Sequence, residues 1–209
     1  MKPLAIIIPV KPPEQGKSRL AGALLPHDRL ALNRALLKHT FDVAAKLRDL
    51  ADVFVVSKSH DVRAEAATRG FVACDEPDTC DLNGAIAIGA GRAHGAGINE
   101  IMVLPVDLPN VSEHGLRKLV VGFHRGLDVL IVSDCAGSGT NVLLWRPIES
   151  AVFHYGPASA EAHARSARSL GLRQAVRTDA ALSFDIDTPA DLEAWMRGGR
   201  AALRAGVGN

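Results

Sequence analysis

Aromatic side chains are scarce in this chain of 209 residues, which has six phenylalanines, two tryptophans and one tyrosine. Hydrophobic residues still make up 47% of it, so we expect a sizeable core built mainly from Ala, Val, Leu and Ile. At roughly 150 residues per domain, the length predicts one domain. We place it at residues 1–197 and expect the Gly- and Ala-rich tail at 198–209 to be flexible.

Disulfide and metal-binding patterns are also missing. The three cysteines form no CxxC pair, and the eight histidines show no HxH, HxxxH or HExxH spacing. A disulfide scaffold and a zinc site are therefore not expected. No GxSxG nucleophile elbow occurs either. Unpaired cysteines are typical of a reducing compartment, so we expect a cytoplasmic protein.

The sequence has no excess charge of one sign and no long apolar run. With 24 basic and 23 acidic residues the net charge is +1, which argues against a dominant electrostatic surface for nucleic acid or an anionic membrane. The longest early apolar run, at 4–10, is too short to cross a bilayer or to form a convincing signal peptide. We expect neither a nucleic-acid nor a membrane partner.

Short β-branched apolar runs are what the chain has instead. They lie at 4–10, 53–57, 101–106, 129–133 and 142–145. The runs are continuous rather than alternating, which is typical of strands buried on both faces of a largely parallel sheet. Helical periodicity lies between them, at 28–50, 61–69, 82–94, 113–124, 158–170 and 189–196. This alternation predicts an α/β fold with a mostly parallel central sheet flanked by helices.

The loop after the first run is basic, and ligands of open α/β sheets bind at such loops beyond the carboxyl ends of the strands. KPPEQGKSRL at 11–20 carries Lys11, Lys17 and Arg19 together with a glycine and Ser18. These residue types could cradle a polyphosphate, with lysine as a point charge and arginine as a fork. The segment lacks the GxxxxGK[ST] pattern of a P-loop, so an ordinary solvated loop is the alternative.

Acidic residues follow other apolar segments. In LPVDLPN at 104–110, Asp107 comes just after a predicted strand and is either a Mg²⁺ ligand or a turn residue. In FDIDTP at 184–189, Asp185 and Asp187 would point the same way on an extended strand and could share a metal. The same segment predicts a helix start, with Asp187 or Thr188 as N-cap before Pro189.

Two loops of small residues, GSGTN at 137–141 and YGPAS at 155–159, could hold an anion. Glycine lets backbone N–H groups approach closely, and Ser159 opens a predicted helix whose dipole favours negative charge. Small-residue turns are also common without a ligand. The polar stretch at 134–140 marks the point after which the pattern is less regular, with a hairpin or a loop insertion expected before the next helix.

Taken in order, these segments resemble the 2-phospho-L-lactate guanylyltransferase family of deazaflavin coenzyme biosynthesis. The shared motifs are PVK-P-x4-KSRL at 9–20, VVS at 55–57, LN at 82–83, LPxDLP at 104–109, GTN at 139–141, GPxS at 156–159 and DIDTPxDL at 185–192. The resemblance covers nearly the whole chain. One departure is the acidic segment at 75–81, where the family is usually Gly-rich.

The resemblance implies a single-domain nucleotidyltransferase fold, GT-A-like and Rossmann-like, and a GTP-dependent guanylyltransferase. Such an enzyme joins GMP from GTP to the phosphate of a small three-carbon acid and releases pyrophosphate. Phosphoenolpyruvate, 2-phospho-L-lactate and 3-phosphoglycerate are the acids that members use. GTP and one of these acids are the expected partners, and a homodimer is left open. Because the acceptor is already a phosphate anion, no side chain has to deprotonate it.

Residue roles also follow from the resemblance. Mg²⁺ is the implied cofactor, held by Asp107, Asp185 and Asp187. The phospho-acid is implied to bind at Thr140, Gly156 and Ser159. The nucleotide is implied to bind at Lys11, Lys17, Ser18, Arg19, Leu82 and Asn83. Lys17, Arg19 and Asp107 are the implied catalytic residues, because two anions must be brought together and their charge neutralised.

Two alternatives stay open at this point. A sugar-phosphate nucleotidyltransferase or a glycosyltransferase would share the fold and an aspartate-held metal. A non-catalytic nucleotide-binding module would keep the fold without the activity. The three metal-type carboxylates and the three loop cations argue against that second alternative.

Overall fold

A computed structural model describes residues 3–198 and shows a seven-stranded sheet covered by helices. The strands are β1 Leu4–Pro9, β2 Ala51–Ser57, β3 Val72–Asp75, β4 Glu100–Val103, β5 Val129–Ser133, β6 Thr140–Trp145 and β7 Gln174–Arg177. The α-helices are α1 Pro26–Ala45, α2 His60–Thr68, α3 Leu82–Gly95, α4 Glu113–His124, α5 Ser159–Ser169 and α6 Pro189–Arg197. Short 3₁₀ helices occupy Ser18–Leu20 and Ile148–Ser150.

The sheet has the order β3-β2-β1-β4-β6-β5-β7 and is mostly parallel, as predicted. Strand β6 alone runs antiparallel to its neighbours β4 and β5, because β5 and β6 form a hairpin over the small-residue loop. The reversal has a consequence for function. It brings Thr140, the first residue of β6, to the sheet edge where the parallel strands end.

Apolar packing covers both faces of the sheet. Leu4, Ile6 and Ile8 of β1 pack with α1, α2 and α4, whereas Ala5 and Ile7 pack with α3 and α5. Helix α3 packs closely on the face that Ala5 and Ile7 share, because a Cβ added at its residue Gly89 would lie 2.6 Å from Ile7 Cγ2. The continuous apolar runs of the sequence therefore correspond to strands buried on both sides, as predicted.

The structure corrects several sequence-based boundaries. Strands β3 and β7 were not predicted, because they lie at the two sheet edges and carry few apolar residues. Strand β4 ends at Val103 rather than at 106, and α1 ends at Ala45, so Leu47 and Leu50 lie in the following turns. The predicted extended strand at Asp185 and Asp187 is wrong: this segment has no strand pairing and runs directly into α6.

Within residues 3–198, none of the helices combines the length and the apolar character needed to cross a bilayer. Residues 1–2 and 199–209 lie outside the described part of the chain, and with them all but the first residue of the tail predicted at 198–209.

Candidate active site

Three aspartates meet at the carboxyl edge of the sheet. Asp107 lies in the loop after β4, and the residues Asp185 and Asp187 precede α6. The two segments are joined by a hydrogen bond of 3.1 Å from the Ile186 N–H to the Asp107 carbonyl. One oxygen from each of the three carboxylates lies within 4.8 Å of the others. The residues that the sequence assigned to a metal are therefore brought together.

A lysine ammonium lies among these carboxylates. Lys17 Nζ is 3.3 Å from Asp107 Oδ2 and 3.1 Å from Asp187 Oδ1, and its side chain is only 8% exposed. The backbone of Lys17 has a φ of 56°, in the left-handed region that residues other than glycine seldom adopt. Arg19 lies further out, with a guanidinium nitrogen 3.7 Å from Asp187 Oδ2. The basic loop thus places two cations against the three carboxylates of the acidic cluster.

Around Asp185, the acidic cluster carries more negative than positive charge. Burial and the neighbouring carboxylates of Asp107 and Asp187 raise the pKa of Asp185 to about 6. The Asn141 amide, 3.5 Å from Asp185 Oδ1, opposes that shift. Converging carboxylate oxygens with unbalanced charge are the ligand set that a hard divalent cation prefers. Lys17 already occupies a cationic position between two of them, so the donor set fits a divalent metal.

A cavity of about 210 Å³ lies beside the carboxylates. Thr140, Gly156 and Ser159 line it together with Asp107 and Asp185. Gly156 has a φ of 140° and open space where a Cβ would stand, which leaves its backbone accessible. Ser159 is the first residue of α5 and is 1% exposed. Neutral donors and a helix N-terminus thus face the metal-type carboxylates across a small cavity.

The buried side chain of His163, which the sequence did not indicate, fixes the orientation of Thr140. Nε2 accepts a hydrogen bond of 2.9 Å from the His154 N–H, so the ring proton must lie on Nδ1. Nδ1 is 3.0 Å from Thr140 Oγ1 and donates to it, which leaves the hydroxyl hydrogen free for the cavity. Burial, aided by His154, lowers the pKa of His163 to about 4, so the ring is neutral. His163 is therefore a positioning residue.

Asn83 and Leu82, at the start of α3, lie next to the cavity beside Thr140. The Asn83 amide accepts from the Tyr155 N–H at 2.7 Å and donates to the Tyr155 carbonyl at 3.0 Å. Both ends of the amide are thus engaged in holding the loop before Gly156. Leu82 is 39% exposed and borders the cavities on either side. The Tyr155 hydroxyl is buried without a hydrogen-bond partner among the described residues.

The basic loop borders a second cavity, of about 320 Å³, lined by Lys11, Lys17 and Asp107 among others. Asn33 of α1 holds the loop through a hydrogen bond of 2.7 Å to the Pro13 carbonyl. Ser18 is exposed at the start of the first 3₁₀ helix. Lys11 and Lys17 therefore share one cavity with Asp107 and Asp187, whereas Ser18 and Arg19 are exposed and are not among the residues that line it.

A larger cavity of about 530 Å³ contains none of the motif residues. It is bordered by Arg48, Gly70 and Arg92, at the amino ends of β2 and β3. Ligands of open α/β sheets bind beyond the carboxyl ends of the strands. We therefore place the functional site at the smaller cavities around Asp107.

A comparison with protein families shows which family this chain belongs to. Residues 4–203 match the model of the family described as "Guanylyl transferase CofC like". The chain belongs to this family. It is 33% identical over 188 residues to the phosphoenolpyruvate guanylyltransferase of Sphaerobacter thermophilus, covering 90% of this chain and 89% of that protein. It is 31% identical over 187 residues to the 2-phospho-L-lactate guanylyltransferase of Methanothermobacter thermautotrophicus, covering 89% and 81% respectively.

Solved structures support the fold of this CofC-like guanylyl transferase family member. A nucleotidyl transferase from Methanothermobacter thermautotrophicus superposes with a TM-score of 0.65, covering 97% of this chain and 99% of that one at 14% identity. An identity this low shows the fold alone. The predicted family, the single-domain α/β nucleotidyltransferase fold and the guanylyltransferase class of enzyme are thus confirmed.

Two positioning residues escaped the sequence analysis of this family member. Asn141 follows Thr140 in the GTN motif, and its amide donates to the Leu182 carbonyl at 2.9 Å, beside Asp185. Its place in the motif could have identified it. His163 lies four residues after Ser159, a spacing that places both on one side of α5. That spacing alone gives no reason to assign a function.

Proposed function

We propose that this protein transfers GMP from GTP to the phosphate of a small phosphorylated three-carbon acid, such as phosphoenolpyruvate or 2-phospho-L-lactate. The observation that carries the proposal is the placement of three aspartates and Lys17 between the cavity beside Thr140 and the cavity beside Lys11. An oxygen of the acid's phosphate attacks the α-phosphorus of GTP. The bond from that phosphorus to the oxygen bridging to the β-phosphate breaks, and pyrophosphate leaves.

Mg²⁺ is the proposed metal, with Asp107, Asp185 and Asp187 as the residues that would hold it. When bound, such an ion neutralises phosphate charge and orients the phosphates for in-line displacement. The raised pKa of Asp185 supports this assignment, because a cation would offset the mutual repulsion of the carboxylates. Oxygen ligands and only a few protein carboxylates suit Mg²⁺, since phosphates and waters complete its coordination.

The basic loop is the proposed triphosphate site. Lys17, buried against Asp107 and Asp187, can turn its ammonium to the phosphates once the carboxylates have another cation. Lys11 borders the same cavity, and the exposed Ser18 and Arg19 of the same loop offer further donors. These cations would also stabilise the departing pyrophosphate, where charge accumulates during the transfer.

The cavity beside Thr140 is the proposed acid site. The Thr140 hydroxyl, the Gly156 backbone and Ser159 at the start of α5 supply neutral donors for a carboxylate. A fixed cation at this place would compete with the metal for the same ligand. His163 supports the site by presenting the Thr140 hydroxyl hydrogen to the cavity. The reaction needs no base, because the acceptor is already an anion, and the basic Nε2 of His163 is occupied by the His154 N–H.

A substrate matrix tests the proposal. The protein is incubated with Mg²⁺ and each of four nucleoside triphosphates against phosphoenolpyruvate, 2-phospho-L-lactate, 3-phosphoglycerate and a sugar 1-phosphate. Pyrophosphate release and product mass are measured. We expect turnover with GTP and at least one of the three-carbon acids. Turnover of the sugar phosphate alone would favour the same-fold alternative, and no pyrophosphate with any pair would favour a non-catalytic module.

Asp107→Asn and Asp61→Asn are matched variants for the same assay. Asp107→Asn is expected to reduce turnover by orders of magnitude with an unchanged thermal transition, because the residue lies in a loop at the edge of the sheet. Asp61 has a side chain that is 95% exposed on α2, so Asp61→Asn should keep full activity. Equal activity of the two variants would remove Asp107 from the proposed site.

A cytoplasmic location and a homodimer remain predictions. Cys74, Cys80 and Cys135 are all free thiols, as expected in a reducing compartment. Light scattering after size exclusion would give the oligomeric state.

A further inference from the structure

A fourth cavity lies between the basic loop and the acidic segment at 75–81. Its volume is about 320 Å³, and its walls include Pro12, Lys58, Glu76 and Ala85. It shares Pro9, Val10, Lys11 and Leu82 with the cavity that holds Lys17. A nucleotide with its triphosphate at Lys17 would therefore have this cavity next to it.

One carboxylate lining this cavity lacks a hydrogen-bonding partner. The Glu76 side chain is 10% exposed, and no donor among residues 3–198 hydrogen-bonds to its carboxylate. Lys58 Nζ stands 4.0 Å from Glu76 Oε1, but it donates to the Asp78 carbonyl at 2.6 Å. Burial raises the pKa of Glu76, opposed by Lys58 and Lys11. The Glu76 carboxylate is thus mostly buried, and its oxygens accept no hydrogen bond from the described residues, so they are available to a ligand in the cavity.

Two other acids of the same segment are engaged elsewhere, and a third, Asp78, is exposed and does not line this cavity. Asp75 has a side chain that is 79% exposed and pairs with Arg63 at 2.7 Å. Asp81 caps α3 by accepting a hydrogen bond of 2.8 Å from the Gly84 N–H. Glu76 thus differs from Asp75, which does not line this cavity, and from Asp81, which lines it but is engaged as the cap of α3.

We propose that the Glu76 carboxylate recognises the guanine base of the nucleotide, accepting from the ring N1–H and the 2-amino group. This inference rests on the proposed function, which supplies a guanine nucleotide at the neighbouring cavity. Guanine alone among the four bases offers two adjacent donors that match the two oxygens of a carboxylate. Adenine and cytosine place an acceptor nitrogen beside their amino group, and uracil flanks its N–H with two carbonyls. Val10, Pro12 and Ala85 border the same cavity and offer apolar surface to a purine ring.

Equilibrium binding of GTP and inosine triphosphate, measured by calorimetry without the acid, tests the inference. Inosine triphosphate keeps the N1–H of guanine and lacks the 2-amino group. In the parent protein, the 2-amino group of GTP would donate a hydrogen bond to the Glu76 carboxylate that inosine triphosphate cannot make. We therefore expect GTP to bind roughly tenfold or more tightly than inosine triphosphate. In Glu76→Ala and Glu76→Gln the ratio of the two affinities should fall to near one or invert. Asp75→Asn, the matched control on the adjacent acid, should keep the parent ratio.

Several results would overturn the inference. The first is a parent protein that binds GTP and inosine triphosphate equally well. The second is an unchanged ratio of the two affinities in folded Glu76→Gln. The third is a fall of that ratio in Asp75→Asn as large as in the Glu76 variants. Glu76→Gln is isosteric, so it serves if Glu76→Ala fails to show a cooperative thermal transition. Guanylyl transfer is assayed separately by pyrophosphate release. Transfer activity together with an unchanged GTP preference in Glu76→Gln would refute this inference and leave the proposed function standing. No binding of GTP by the parent protein would refute both.

Discussion

At the start of α6, Thr188 caps the helix whereas the preceding residue, Asp187, faces the candidate site. The Thr188 hydroxyl accepts from the Asp191 N–H at 3.3 Å, and Asp191 Oδ2 accepts from the Thr188 N–H at 2.7 Å. This reciprocal pair is a capping box, so Thr188 and not Asp187 is the N-cap. The sequence left the choice between them open. The structure thus leaves the Asp187 side chain free to face Lys17.

We expect Thr188→Ala to lower the free energy of unfolding by about 1 kcal/mol, the usual effect of a lost N-cap. Asp187→Asn should leave the unfolding free energy within a few tenths of that of the parent, about the change usual for a residue outside the core, while abolishing most turnover. Urea denaturation and pyrophosphate release measure the two effects. A stability loss in Asp187→Asn equal to that in Thr188→Ala would contradict the assignment of the cap.

At the scale of elements, the position of α3 determines how the site is assembled. Its first turn places Leu82 at the cavities and Asn83 against the Tyr155 backbone, and its middle packs directly on β1 and β2. A Cβ at Gly89 would lie 2.6 Å from Ile7 Cγ2 and 3.1 Å from Val56 Cγ2. Gly91, two residues later, has nothing within 4 Å of that position.

Gly89→Ala should therefore destabilise the protein by about 1–3 kcal/mol through overpacking against β1 and β2. Gly91→Ala should instead stabilise it by about 0.5–1 kcal/mol, because alanine favours the helix and meets no obstacle. Midpoints of denaturant unfolding for the two variants give the comparison. The prediction fails if both substitutions shift stability in the same direction by similar amounts.

At the scale of the whole molecule, His163 makes the stability of the fold depend on pH. The unfolded chain binds a proton at this ring below about pH 6.5, whereas burial and His154 lower the pKa in the folded state to about 4. The unfolded state therefore binds more protons between these values, and stability falls as the pH is lowered from about 6.5 to about 4. Below that range both states are protonated and this loss stops growing.

We expect His163 to account for about 3 kcal/mol of lost stability across that interval, from 1.36 kcal/mol per pKa unit. His163→Asn should be less stable at pH 7, because hydrogen bonds to Thr140 and His154 change, but its stability should fall less steeply with acid. His60→Asn is the control, since that side chain is 87% exposed. Urea unfolding at several pH values between 7 and 4 gives the slopes. Parallel slopes for the parent and His163→Asn would show that the ring is not held neutral.

The sequence by itself determined the family and the α/β class, and it predicted which residues form the site. Its motifs follow strand ends in chain order, and a buried strand such as β1 is apolar along its whole length, so both can be recognised locally. The edge strands β3 and β7 could not be recognised in this way, because a half-exposed strand of four residues has no continuous apolar run.

Only the tertiary structure decided which distant groups meet. The reversal of β6 placed Thr140 at the edge with Asp107, and the chain before α6 brought Asp185 and Asp187 there without forming a strand. The burial of Glu76 without a hydrogen-bond donor, and the neutral ring of His163, likewise depend on neighbours from other elements. Local patterns specify what each segment is. Charge balance, protonation and access to a cavity depend on distances between segments, which only the folded chain sets.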